Sequence, residues 1–354
     1  MKAWRIDHLG GAFSFVDVPK PTTRTGSVLV RVEAQSLMSY LKPYVEGKLS
    51  AYRAPEDFIP GGNAIGTIEE VGSDVWHLKK GQRVVFSSHL VSGEIVSEPG
   101  QILIGVTSPG GASDAVQESW KNGTLAEYAL VPVETLTPLD GLEHIDSTKL
   151  IPITRCIVPY GGLVCGRLTA GEIIAINGAT GAYGSAATFV ALTMGASRVI
   201  AMGRNKKPLD ALVKAAGSRV VPVVLSGDVT ADAEAVRKAA GGGVHLAFDV
   251  EGGASDANST LAALASLRRT GRLVLMGSSS VPVPISYMQV MSNSLEIIGN
   301  FMYPKSAYLH LLEMVRSGQL DVLKFDLKVF PLADLTLAVE TAGEAGNLEI
   351  VVTV

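Results

Sequence analysis

The residues best suited to chemistry lie in Ile173–Gly184, which reads I-I-A-I-N-G-A-T-G-A-Y-G. A short apolar strand runs into three glycines, Gly178, Gly181 and Gly184, and the small and apolar residues of Ser185–Met194 predict a helix after them. Strand, glycine turn and helix in that order make an anion site. Gly178 permits the tight turn, Gly181 lets backbone approach a pyrophosphate, and Gly184 lets the helix pack on the sheet. The free N–H groups and positive dipole end of the helix, at Ala182 and Tyr183, then face the phosphates, with Thr180 inside the loop. The next strand, Arg198–Met202, ends in Gly203-Arg204-Asn205 and continues with Lys206 and Lys207. A carboxylate there would accept from a ribose 2′-hydroxyl. A guanidinium beside a small residue suits a 2′-phosphate instead, through charge-assisted hydrogen bonds of about 1.5–3 kcal/mol each. The expected cofactor is therefore NADPH rather than NADH.

The elements that position this loop follow from hydrophobic period. Short apolar strands are predicted at Ile173–Asn177, Val199–Met202, Val220–Val224, His245–Asp249 and Arg272–Met276, separated by helices over 185–195, 206–216, 230–240 and 255–268. Alternating strands and helices mean βαβ crossovers and a parallel sheet whose carboxyl edge binds the ligand. Gly178, Thr180, Asp249, Glu251, Gly277 and Ser278 fall at that edge. Residues 1–150 read differently, with Ser27–Ala34 and Ile65–Val71 alternating at period two and Gly81–Phe86 and Ala126–Pro132 continuing the pattern. Glu94–Lys121, rich in Gly, Ser and Pro, predicts a long excursion bordering a site. A strand is expected in Ser294–Met302, a helix over Ser306–Ser317 and a closing strand at Leu348–Thr353 that returns to the first domain.

With 354 residues, 47% of them hydrophobic and 18% charged, the chain can build two domains with cores of their own. A net charge of −4 gives no field for a polyanion, so nucleic acid is excluded as a partner. Met1–Gly10 has no apolar core of a secretory leader, and no run approaches the roughly 18 apolar residues of a membrane span. Cys156 and Cys165, the two cysteines, cannot build a disulfide framework, which fits a reducing cytoplasm.

Taken together, these segments resemble the medium-chain dehydrogenase/reductase superfamily over almost the whole chain. V-L-V-R-V-E-A at 28–34, V-G-S-D-V-W-H-L-K-K-G-Q-R-V-V at 71–85 and G-T-L-A-E-Y-A-L-V at 123–131 look like its GroES-like domain. The glycine loop, F-D-V-E-G-G at 248–253 and Gly271–Gly277 look like its cofactor domain, with Gln82 departing from the usual Asp. The resemblance implies an α/β chain: a β-rich GroES-like catalytic domain over 1–153, with 295–354 returning to it, and a doubly wound Rossmann domain over 154–294. It also implies that Tyr160, Gly277, Ser278, Asn300 and Phe301 border the nicotinamide; Asp249, from its place at the sheet's carboxyl edge, and Lys207, from the basic cluster, are further expected cofactor contacts. Met38, His89, Arg155, Met288 and Met302 are expected to line the substrate pocket.

Zinc members of the family carry a Cys, a Gly-His-Glu and a further Cys or Asp at three places. Here those places hold Met38, the Gly62-Asn63 pair within P-G-G-N, and Thr154-Arg155. Such a set lacks the N, S and O ligands of a catalytic zinc. The chain therefore looks like a zinc-free branch, akin to quinone, alkenal and enoyl reductases. Without a Lewis acid, hydride addition to an enone or quinone, which spreads charge over an enolate, asks less of a site than ketone reduction. Tyr40, Tyr44 and Tyr52 are the expected proton donors, and Asn63 could donate an amide N–H to a carbonyl. Two alternatives stand beside that reading: a metal-free alcohol dehydrogenase or carbonyl reductase, and a non-catalytic NADPH-binding structural or sensor protein. Val281-Pro-Val-Pro-Ile285 resembles the edge strand through which the family pairs its cofactor sheets, so a homodimer is expected.

Overall fold

The computed structural model describes residues 1–344 and 348–354. The chain forms two compact units, Met1–Thr154 with Phe325–Val354, and Arg155–Lys324.

In the first unit, period-two sequences become a seven-stranded sheet. Ser27–Ser36 is its spine, pairing antiparallel with Ala64–Val71, Tyr128–Pro132 and Glu349–Thr353. Ala64–Val71 continues to Arg83–Phe86 and that strand to Leu136–Pro138, while Leu327–Pro331 closes the other edge beside Glu349–Thr353. Val28, Val30, Val32, Ile68, Val84, Phe86, Ile102 and Val131 share one core, as alternation on a half-buried sheet requires. Glu94–Lys121 is more ordered than its composition suggests. It contains Gln101–Leu103, hairpinned to His89–Val91, and the helix Asp114–Ser119.

The second unit is a six-stranded parallel sheet. Its spatial order runs Val220–Val224, Arg198–Gly203, Ile173–Asn177, Val244–Asp249, Leu267–Leu275, Glu296–Gly299. The order reverses between Ile173–Asn177 and Val244–Asp249, which marks the crevice where such sheets bind ligands. Ala175, Ile200, Met202, Val236, Ala247 and Leu273 pack between sheet and helices.

Several boundaries differ from expectation. The chain leaves the second unit at Lys324, not at 294, because Glu296–Gly299 pairs with Leu267–Leu275 and the helix Ala307–Arg316 stays with that unit. An apolar strand pattern cannot say which sheet it will join. The helix predicted over 255–268 is Asn258–Ala265, and the next strand already begins at Leu267. The strand expected in Ser294–Met302 shrinks to Glu296–Gly299. Val281–Ile285 is irregular backbone rather than a strand, since its prolines remove ladder donors; the sheet's edge is Glu296–Gly299. The helix Ile153–Cys165, which contains Pro159, had no clear sequence signal.

Candidate functional site

In the second unit the glycine loop takes the form its spacing predicts. Gly178 has φ +79°, a left-handed conformation that favours glycine. A Cβ on Gly184 would lie 2.0 Å from the Gly178 carbonyl oxygen and 2.7 Å from Ala179 Cα, so only glycine lets the helix close on the strand. Gly181 caps the helix Ala182–Thr193 without a side-chain bond, so the start of this helix is open to an anion. Thr180 stands beside Gly203: a Cβ there would come within 3.3 Å of its Cγ2. These features fit a bound dinucleotide.

Past Gly203 the basic cluster divides. Lys206 pairs with Asp210 at 2.5 Å. Arg204 is exposed and makes no hydrogen bond or ion pair among the described residues. Asn205, the residue preceding the helix Lys206–Ala216, caps it with no side-chain bond, and Lys207 is exposed.

Asp249, at the carboxyl end of its strand, is 5% exposed, and neighbouring polar groups engage its carboxyl. Thr260 Oγ1 donates to Oδ2 at 2.5 Å, while the Glu251 N–H and Asn177 Nδ2 donate to Oδ1 at 3.1 and 3.2 Å. Burial is the main cause that raises its carboxyl from the ordinary aspartate value, opposed by these bonds and reinforced by the charge of Glu251. Its backbone carbonyl accepts from Met276 and Gly277 and so holds the Gly277–Ser278 turn. Asn177, Ser259 and Thr260 were not foreseen. A polar residue closing the apolar strand I-I-A-I-N was the available signal.

Tyr160 lies buried on the helix Ile153–Cys165, and burial raises its phenol. The glycines after it permit close packing, since a Cβ on Gly161 would meet the Met302 carbonyl oxygen at 2.3 Å. Met302 has φ +63°, and its carbonyl accepts from Asn300 Nδ2 at 2.8 Å. Phe301 and Met288 are exposed, whereas Arg155 is buried.

In the first unit the three positions where zinc members place ligands come together. A Cβ on Gly62 would stand 4.0 Å from Met38 Sδ and 3.9 Å from Ser88 Oγ. Met38 is buried. Asn63 does not present its amide as a free donor. Its Oδ1 accepts from Ser88 N at 2.7 Å and Ser88 Oγ at 2.9 Å, and its Nδ2 donates to the Thr154 carbonyl at 3.2 Å. A backbone N–H on one side and a carbonyl on the other fix the amide's orientation. Asn63 is thus a strut, joined behind Gly62 by Thr124, whose hydroxyl bonds the Gly62 carbonyl at 2.8 Å. A thioether, a missing side chain and an engaged carboxamide do not fit a catalytic zinc. Among the described residues no group of three or more His, Cys, Asp and Glu is placed to hold a metal ion.

The three tyrosines do cluster, with Tyr52 centred 5.5 Å from Tyr40 and 5.7 Å from Tyr44. Tyr44 leaves the set of donors. It is fully buried, its hydroxyl donates to the Val106 carbonyl at 2.5 Å, and desolvation raises its phenol far above the ordinary value. Tyr40 and Tyr52 stay partly exposed. His89 contacts Gln101 across its hairpin at 2.7 Å.

The comparisons agree with this architecture. Residues 24–141 match the family model for the alcohol dehydrogenase GroES-like domain, and residues 182–317 match that for zinc-binding dehydrogenase. An alcohol dehydrogenase of Moraxella sp. (strain TAE123) is 28% identical over 321 residues, covering 90% of each chain. Among solved structures, a thermostable alcohol dehydrogenase from Pyrobaculum aerophilum superposes with a TM-score of 0.78 at 21% identity, covering 100% of this chain and 99% of that one. A putative zinc-binding dehydrogenase from Sinorhizobium meliloti 1021, solved with NADP, gives 0.81 at 19% identity with coverage of 100% and 99%. No helix among the described residues is long and apolar enough to cross a membrane. Two family matches that between them span most of the chain, on this pair of folds, make it an oxidoreductase of the medium-chain dehydrogenase/reductase superfamily, of the alcohol dehydrogenase type.

Proposed function

We propose that this chain is a zinc-independent, NADPH-dependent reductase whose acceptors are quinones or α,β-unsaturated carbonyls. The observation that carries the reading is the donor set around Gly62. Met38 and the Asn63 strut offer no metal ligands and no free donor for a simple ketone's developing alkoxide. Conjugate addition places charge on a delocalised enolate, which a neutral phenol can stabilise. Tyr40 and Tyr52 are the phenols left for that hydrogen bond and for delivering the proton to carbon, directly or through water. The loop Gly178–Gly184 and its helix N-terminus hold the pyrophosphate, and Arg204 takes the 2′-phosphate. The cofactor supplies the hydride when bound; the chain orients it and keeps water away.

A second reading is carbonyl or alcohol redox chemistry without metal; the relatives named alcohol dehydrogenases favour its substrate class. Product identity separates the two. Protein treated with a chelator is given NADPH and a simple conjugated enone, and the product is identified. A saturated ketone formed at an undiminished rate is expected. An allylic alcohol moves the reading to carbonyl reduction. Turnover that chelator abolishes and zinc restores overturns zinc independence, and tight NADPH binding without turnover of enone or quinone leaves a sensor.

A further inference from the structure

Asn177 and Asp249 are paired end residues of the two strands that flank the sheet's reversal. Around them lies a buried polar cluster whose donors and acceptors do not balance. Asn177 Nδ2 faces three acceptors: Ser259 Oγ at 3.0 Å, Asp249 Oδ1 at 3.2 Å and Glu251 Oε2 at 3.4 Å. The Ser259 hydroxyl is bonded to Glu251 Oε2, and the Thr260 hydroxyl to Asp249. Asn177 Oδ1 has no partner, although the residue is 1% exposed. Acceptors outnumber donors, and one further proton on a carboxyl oxygen would reduce the shortage.

The cluster is wired to both loops of the cofactor crevice. Gly178 follows Asn177 directly, and a Cβ on Gly178 would lie 3.1 Å from Glu251 Cα. A Cβ on Gly277 would meet the Glu251 carbonyl oxygen at 2.1 Å, and the Gly277 N–H bonds the Asp249 carbonyl at 3.0 Å. Glu251 is thus wedged between the two glycine turns.

We propose that Asp249 holds a proton beside Glu251 and that this positioning pair, through Gly178 and Gly277, ties dinucleotide affinity to pH. This rests on the reading of the loop as a dinucleotide site. The proton is exchanged with water. When it leaves, a second negative charge appears in a buried shell beneath a loop that must receive an anion, so affinity falls as pH rises. Among the described residues Glu251 is the titratable neighbour of Asp249; Asn177, Ser259, Thr260 and the backbone N–H groups around the pair are uncharged. Burial raises the Asp249 carboxyl, so the transition lies above that of an ordinary aspartate.

The test is the dissociation constant of NADPH and of NADH, read by cofactor fluorescence from the carboxylate range to neutrality. The wild type, Asp249→Asn and Glu251→Gln are compared, with thermal unfolding as a check on folding. The wild type is expected to lose about tenfold in affinity for both cofactors across the transition, the equivalent of one pKa unit. Asp249→Asn, uncharged at every pH, is expected to give a flat profile. Glu251→Gln, at a partly exposed position, removes the neighbouring charge but leaves the buried carboxyl of Asp249, so should Asp249→Asn fail to fold it is expected to keep the transition but move it to lower pH than in the wild type. Using NADH removes the titration of the cofactor's 2′-phosphate. Profiles of variant and wild type that run parallel overturn the positioning pair and leave the dinucleotide site intact. Binding of neither cofactor at any pH overturns both.

Discussion

The two units keep family features of opposite kinds. In the second unit the parts that survive are backbone: a left-handed Gly178, a Gly184 that no other residue could replace, and a helix start without a side-chain cap. In the first unit the fold survives but the side chains at the ligand positions do not, and what remains there, Asn63 with Ser88 and Thr154, has become internal bracing. A dinucleotide is gripped by turns that few sequences can form, so the site tolerates little change. A catalytic centre is a few side chains on a scaffold that stands without them, so chemistry can be exchanged while the sheet stays.

The sharpest way to break the comparison is to damage the backbone grip. Gly184→Val would place a side chain 2.0 Å from the Gly178 oxygen, and the loop or the helix must shift. Such overpacking costs about 1–3 kcal/mol, and the displaced loop would no longer present its N–H groups. NADPH and NADH binding, followed by fluorescence, should each fall by at least about a hundredfold. Retained affinity for both cofactors would mean that the loop does not grip the phosphates.

Arg204 tests the grip one step further out, where a side chain and not the backbone discriminates. Arg204→Ser should weaken NADPH by about one to two decades, the equivalent of losing one charge-assisted hydrogen bond, and leave NADH nearly unchanged. Equal losses for both cofactors would reduce Arg204 to general attraction for an anion. A stronger grip on NADH than on NADPH in the wild type would reverse the assignment.

The same contrast explains what was legible in the sequence. Apolar strands, period-two strands and glycine turns are local patterns, and the parallel sheet and its loop follow from them. The membership of Glu296–Gly299 was not legible, because an apolar strand carries no mark of the sheet it joins. The roles of Asp249 and Asn63 were not legible either. Each looked available for a ligand in sequence, and each is occupied by partners far along the chain: Thr260 for Asp249, and Ser88 and Thr154 for Asn63. Residue type suggests a chemical capacity, whereas long-range hydrogen bonds decide whether that capacity is free.

Tyr44 and Tyr52 put that distinction to its finest test, because they are the same residue type and their rings pack edge to face with centroids 5.7 Å apart. Tyr44→Phe removes the donor to the buried Val106 carbonyl, which should lower stability by about 1–3 kcal/mol in denaturant unfolding. It should leave turnover of an enone and its pH profile unchanged, while Tyr52→Phe should slow turnover with little loss of stability. The alkaline limb supplies a second readout. Burial raises the Tyr44 phenol in the folded state, whereas in the unfolded chain it ionises near about 10. The folded state therefore retains a proton that the unfolded state releases. The stability linked to Tyr44 is fully present below the unfolded value and declines as pH rises past it. Tyr44→Phe should flatten that decline. Slowed turnover in Tyr44→Phe with stability intact would return the buried phenol to the catalytic set and remove the reason for preferring Tyr52.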